Sequence, residues 1–192
     1  MCLDERPVQL HSDVRNRLPA SPNKPSRIDS EYRRHGTANV YAIVAPHEGV
    51  HLTHATPNRK ALNYVKALQR IARRFPKAKR IHLVQDNLNI HCEKSCIQVL
   101  GEKRGKKLWG KFIKHFTPKH GSWLNIAETE ISLWSRECLG SRRIPEFKQL
   151  AAETMSWNAI ANQQRRTIQW KFTVAKARHR FNLQVENPLS ED

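Results

Sequence analysis

Asp86 closes the run RIHLVQD, in which Ile81, Leu83 and Val84 are strand formers, and the polar residues Asn87, Asn89 and His91 follow it. A carboxylate at the end of an apolar strand is suited either to a turn or to a cation site. Two more acids have comparable settings: Asp4 on the opening segment CLDE, and Glu128 in the first turn of a helix beginning near Asn125. Gathered by one sheet, three such carboxylates bind hard divalent cations, because Mg²⁺ and Mn²⁺ prefer oxygen ligands and keep several waters. Two such ions, roughly 3.5–4 Å apart, activate a nucleophilic oxygen and stabilise the leaving oxygen of a phosphodiester.

Spacing alone leaves a structural role open for each acid. Asp4 reads equally as an edge-strand residue, and Asp86 beside Asn87 as a turn residue that caps the next helix. Glu128 reads as the far end of a capping box with Asn125 at the N-cap. Helical phase does not decide the matter: Leu124, Ala127, Ile131, Trp134 and Cys138 form the apolar stripe, with Glu128 and Glu130 flanking it on opposite sides.

The charge balance favours a phosphate partner. The 192 residues carry 34 Lys and Arg against 17 Asp and Glu, a formal net charge of +17, and nucleic acid is the partner such a surplus fits best. No apolar run approaches the ~18 residues of a spanning helix. The opening MCLDERPVQ is not a signal peptide, so a cytoplasmic protein is expected. Cys2, Cys92, Cys96 and Cys138 are scattered and read as reduced thiols. A zinc site on His91, Cys92 and Cys96 lacks a second ligand cluster to complete it.

The elements that must position the acids follow from periodicity. TANVYAIVAP, Thr37 to Pro46, and VHLTHAT, Val50 to Thr56, form a hairpin; Arg80–Gln85 and Phe112–Phe116 are further strands. Helices are expected over Arg59–Phe75, Cys92–Glu102, Asn125–Cys138 and Pro145–Gln164, with a short one in TVAKARHRF. GEKRGKKLWGK reads as a basic, glycine-punctuated loop, and Ser12–Gly36 as a long loop or arm between strands. The exposed face of the first helix is purely basic, with Arg59, Lys60, Lys66, Arg70, Arg73 and Arg74 and no acid among them, which suits contact with DNA phosphates. This order predicts an α/β fold with a mixed five-stranded sheet flanked by helices. It suits a ribonuclease H-like core, although order alone also allows other α/β folds.

The segments CLDERPVQL, YRRHGTANVYAIVAP, LVQDNLNIH and HFTPKHGSWLNIAETEISLWSRECLGSRRIP resemble the catalytic (DDE) domain of bacterial insertion-sequence transposases of the mariner superfamily. The likeness runs to about QWKFTVAKARHRF, and LNIAE matches the family's Leu-Asn-x-x-Glu pattern. It implies a retroviral integrase-like, ribonuclease H-like domain over residues 1–164, with the arm at 12–36, and a helical tail over 165–192. Asp4, Asp86 and Glu128 become the acidic triad that holds two Mg²⁺ or Mn²⁺ ions. Asn87, His91, Ser122 and Asn125 become groups that support the metal ligands or touch DNA, with Pro118 shaping the loop before Glu128.

The activity implied is cleavage of double-stranded DNA at transposon ends and strand transfer into target DNA, next to a TA dinucleotide. A homo-oligomer is implied when active, with the arm engaging the partner subunit, in the bacterial cytoplasm at the nucleoid and without a membrane. The family carries an N-terminal helix-turn-helix region, whereas this chain begins three residues before Asp4, so the catalytic half alone is expected. The alternative is a catalytically inactive, basic DNA-binding remnant of a transposase.

Overall fold

In a computed structural model, which describes residues 1–118 and 121–181, the chain forms one mixed sheet with helices on both faces. The strands are β1 (Cys2–Asp13), β2 (Tyr32–Ala45), β3 (Val50–His51), β4 (His54–Thr56), β5 (Ile81–Gln85) and β6 (Phe112–Phe116). The sheet order is β3-β2-β1-β5-β6, with β4 also pairing with β2. β3 and β4 meet β2 at Val44–Ala45 and Asn39–Tyr41 respectively, so the six strands fill the five expected positions, the edge strand being broken at Leu52–Thr53. β1 is antiparallel to β2 and parallel to β5, which is parallel to β6.

Both faces of the central strands are covered, which explains the continuous burial of Ala38 and Val40–Ala45. On one face Leu3, Tyr41, Ile43, Ile81 and Leu83 pack on α1 (Ala61–Arg74) through Tyr64, Val65, Leu68 and Ile71. On the other, Val8, Leu10 and Val40 pack against α4 (Ala127–Trp134) and α5 (Phe147–Gln163) through Trp134, Leu150 and Trp157. α1 needs no acidic cap: Asn58 Oδ1 accepts from the Lys60 N–H at 3.0 Å and from Asn63 Nδ2 at 2.9 Å, and Arg73 and Arg74 favour the negative end of the helix dipole.

Three expectations are corrected. The arm is shorter than the expected Ser12–Gly36: β1 and β2 run on as a two-stranded ribbon, with a register shift between Gln9 and His11, so the arm is confined to residues 14–31. That arm is itself a narrow hairpin, bridged at Leu18–Arg27 and Ser21–Lys24 and turning at Asn23, whose φ is 61°. Its root is gripped by Arg143, which donates to Asp13 Oδ1 at 2.8 Å and to the carbonyls of Glu31 and Asp29 at 2.8 and 2.7 Å.

Second, the basic loop is a helix. α2 (Glu93–Leu100) stops at Gly101, whose φ is 78°, and α3 (Glu102–Gly110) starts at once. Gly105 is where the two helices touch, because a Cβ on it would lie 2.6 Å from the backbone of Ile97. Third, the helix expected over Asn125–Cys138 has a 3₁₀ turn before it at Ser122–Leu124 and ends in a π turn at Ser135–Leu139. A last helix, α6 (Val174–Phe181), follows α5; residues 182–192 of the expected tail lie outside the described residues.

Glu130 holds the α4 side of the molecule together. It is fully buried, accepts from His51 Nδ1 at 2.8 Å and from Thr53 Oγ1 at 2.8 Å, while His51 Nε2 donates to the Arg166 carbonyl at 2.9 Å. Burial opposes charge on His51, but the Glu130 carboxylate outweighs it and holds the imidazole pKa above its ordinary value. Removing one partner leaves an uncompensated charge inside the protein. Glu130→Ala is therefore expected to lower stability by about 3–5 kcal/mol, measured by denaturant unfolding, against well under about 1 kcal/mol for exposed Lys148→Ala.

Candidate active site

The parallel pairing of Cys2 with Val84 sets the first two acids level. Asp4 lies two residues beyond Cys2 and Asp86 two beyond Val84, so they arrive side by side on neighbouring strands, which run about 4.8 Å apart. Asp86 stands immediately past the C-terminal end of β5, where open α/β sheets present their ligands. Glu128 comes from the first turn of α4, whose start is fixed to β1 by Asn125. That buried amide donates through Nδ2 to the Leu3 carbonyl at 2.8 Å and to Asp4 Oδ2 at 3.4 Å, and its Oδ1 accepts from the Ala127 N–H at 3.2 Å. Asn125 thus acts as a tie between helix and strand rather than as half of a capping box.

Asp4 feels the other two carboxylates. Asp4, 9% exposed, has its pKa pushed up to about 7, first by burial and then by the charges of Glu128, Asp86 and Glu5, against the opposing Glu5 N–H at 2.7 Å from its Oδ1. Asp86 behaves oppositely: the His91 hydrogen bond holds its carboxyl below the usual value in spite of partial burial, and the charge of Arg59 adds to this. Among the described residues no three His, Cys, Asp or Glu side chains stand close enough to form a closed metal cage. Glu128 and Asp86 are near enough for their charges to act on Asp4.

The supporting residues fall into two groups. His91 is buried, with Nδ1 at 2.8 Å from Asp86 Oδ1 and Nε2 at 2.9 Å from Glu5 Oε1. Asn87 and Ser122 are exposed at the same edge, and the Ser122 carbonyl accepts from the Asn125 N–H at 2.8 Å. The Pro118 carbonyl accepts from Gly121 N–H at 2.8 Å, closing the turn that leads into this segment.

Lys60, Lys66, Arg70, Arg73 and Arg74 are all exposed, and none is in an ion pair among the described residues. Lys66, Arg70 and Arg73 line a groove of about 430 Å³ with His54, Thr56 and Asn63, between α1 and β4. Burial, then the Arg70 charge, push the His54 pKa down to about 4, so the groove owes its charge to the three long cations.

The sequence reading missed Glu5 and the buried Glu130–His51 pair. Glu5 was hidden by its neighbour: consecutive strand residues point to opposite faces, so the dipeptide Asp4–Glu5 cannot place both acids in one pocket. The readable signal for the ribbon was the alternation of Val8 and Leu10 with Gln9 and His11.

A ribonuclease H-like mixed sheet with acids at the end of its central parallel pair defines a class of metal-assisted nucleic-acid enzymes. The chain belongs to the DDE superfamily endonuclease family, which it matches over residues 1–151. Members are nuclease- or transposase-type enzymes that act on DNA and generally use divalent metal ions. No curated protein and no solved structure was matched by the chain. Among the described residues no helix is long and apolar enough to cross a membrane.

Asp4 supplies a pH test. In the folded chain it keeps its proton up to about pH 7, whereas the unfolded chain releases it near the ordinary value of 3.8. The folded state therefore binds more protons across that window, and stability of the metal-free protein falls as pH rises through it. Thermal melts in EDTA should show Asp4→Asn gaining on the wild type between pH 4 and pH 8. Added Mn²⁺ at pH 8 should then raise the wild-type melting temperature more than that of the variant.

Proposed function

We propose that this chain is the catalytic domain of a bacterial insertion-sequence transposase of the mariner type. It would cleave double-stranded DNA at transposon ends and transfer the freed 3′ end into target DNA beside TA. Residues 1–164 would form the catalytic domain and 165–192 a tail, working as a homo-oligomer on DNA in the cytoplasm. The observation that carries this reading is the state of Asp4: a carboxylate almost out of solvent, flanked by the charges of Asp86 and Glu128 and without a cationic partner of its own among the described residues. In a chain of +17, a buried acid left without a cation among the described residues fits divalent cations, and a set made only of carboxylate oxygens suits Mg²⁺ or Mn²⁺.

Asp4, Asp86 and Glu128 would hold two such ions. When bound, the metals supply charge neutralisation and Lewis-acid activation at the phosphodiester. The protein's own residues do the rest. Asn125 fixes the start of α4 to β1 and so sets where Glu128 stands relative to Asp4. His91 constrains Asp86. Arg59, whose charge reaches Asp86, and the cations that follow it on α1 draw the phosphate backbone across the site.

Incubation with Mg²⁺ or Mn²⁺ and DNA carrying candidate terminal repeats should yield metal-dependent nicks. Asp86→Ala should remove cutting while DNA affinity stays within about threefold, because loss of one carboxylate removes chemistry and not the cationic face. Wild-type binding without any cutting would instead identify the inactive, DNA-binding remnant. The groove has its own readout: Lys66→Ala/Arg70→Ala/Arg73→Ala should flatten the log Kd against log salt slope by about three, one for each phosphate that the variant no longer neutralises.

A further inference from the structure

We propose that Glu5 and His91 form a clamp that positions Asp86, so that an acid on the face of β1 opposite Asp4 serves the same site. The inference rests on the reading of Asp86 as a metal ligand given above.

His91 is 3% exposed and turns one ring nitrogen to each acid: Nε2 lies 2.9 Å from Glu5 Oε1, and Nδ1 lies 2.8 Å from Asp86 Oδ1 and 3.0 Å from the Asp86 carbonyl oxygen. Ionised carboxylates only accept, so both ring nitrogens must donate and the bridge is an imidazolium between two anions. The ring has little room to turn: Tyr64 lies with its centroid 4.4 Å away, and its hydroxyl is tethered to Gln85 Oε1 at 2.9 Å.

Glu5 has a side chain only 4% exposed, and a buried carboxylate at that position costs stability unless it is paired. Its pairing with His91 meets that cost, and the aim of the ring at Asp86 gives it a further use. The clamp also selects an oxygen. His91 Nδ1 and the Leu88 N–H, at 3.3 Å, both engage Asp86 Oδ1, whereas Oδ2 accepts no hydrogen bond among the described residues. Asp86 keeps 38% of its side-chain surface open, so one oxygen is fixed and the other is presented to solvent. A ligand held in that way binds a cation without first losing rotamer freedom.

The bridge also spans two strands. Glu5 belongs to β1 and Asp86 to the end of β5, so the imidazolium fastens the two strand positions that bring Asp4 and Asp86 level. Glu5 is therefore a positioning residue, acting through His91.

The test uses the full chain and two readouts: free Mn²⁺ by electron paramagnetic resonance during titration, and nicking of terminal-repeat DNA. Glu5→Ala should weaken Mn²⁺ binding about 10- to 100-fold and lower kcat by a similar factor, with KM for DNA unchanged. Glu5→Gln keeps an acceptor for His91 and should recover most of the loss, which a general packing defect would not allow. Because Glu5→Ala could fail to fold, the double variant Glu5→Leu/His91→Phe supplies a second route. It replaces the buried ionic pair with apolar groups against Tyr64, a change that often preserves stability, yet it removes the clamp and should show the same loss. Wild-type Mn²⁺ affinity and nicking in the double variant would overturn the clamp alone. A wild type that neither binds Mn²⁺ nor nicks DNA would overturn the transposase reading, and the clamp with it.

Discussion

The pairing of Cys2 with Val84 is a short contact with long reach. β1 and β5 are far apart in sequence, and a parallel pair needs a crossover between them, here built from β2 to β4 and α1. The Val84 N–H donates to the Met1 carbonyl at 2.9 Å, and the terminal amine donates to the His82 carbonyl at 2.9 Å, so the register is pinned from the first residue. A slip of one residue would turn every side chain of β1 to the other face, exchanging Asp4 with Glu5 and Leu3 with Cys2. The core and the acidic edge thus depend on the same alignment: Leu3 is inside the α1 layer for the same reason that Asp4 faces α4.

Two buried acid–histidine pairs surround this alignment, one on each face. Glu130 with His51 joins α4 to β3 and to the segment after α5; Glu5 with His91 joins β1 to the segment after β5. Each is expensive to desolvate and each is satisfied at both ring nitrogens, which is the condition under which such groups specify one arrangement of elements. The exposed surface follows a different rule. Cations on α1 are left unpaired among the described residues, which suits a polyanionic partner in a chain of +17.

Much of this was legible in the residues because periodicity reports burial. α1, β5 and β6 came within a residue or two of their bounds, since each has an apolar face against the core. The start of the ribbon left a signal in the alternation at Val8–His11, but its outer part did not, because beyond Leu10 it leaves the core and its polar residues do not record which face is which. α3 was hidden by glycine, which in GEKRGKK marks the close approach of two helices and not a break. At the site, the three acids, His91 and Asn125 could be named but Glu5 could not: the Glu5–His91 and Asn125–Leu3 contacts join residues 86 and 122 positions apart, a distance that no local pattern encodes.

The Arg143 grip on the arm changes the thermodynamics of whatever that arm touches. One guanidinium immobilises both ends of the hairpin at Asp13 and Asp29–Glu31, and the bridges at Leu18–Arg27 and Ser21–Lys24 restrict the rest. A loose segment of that length would surrender backbone freedom in every residue on docking, at about 1–2 kcal/mol each. Here most of that entropy is already spent in the isolated chain, so a modest contact patch along the hairpin can yield net affinity where a floppy loop of the same composition would yield none.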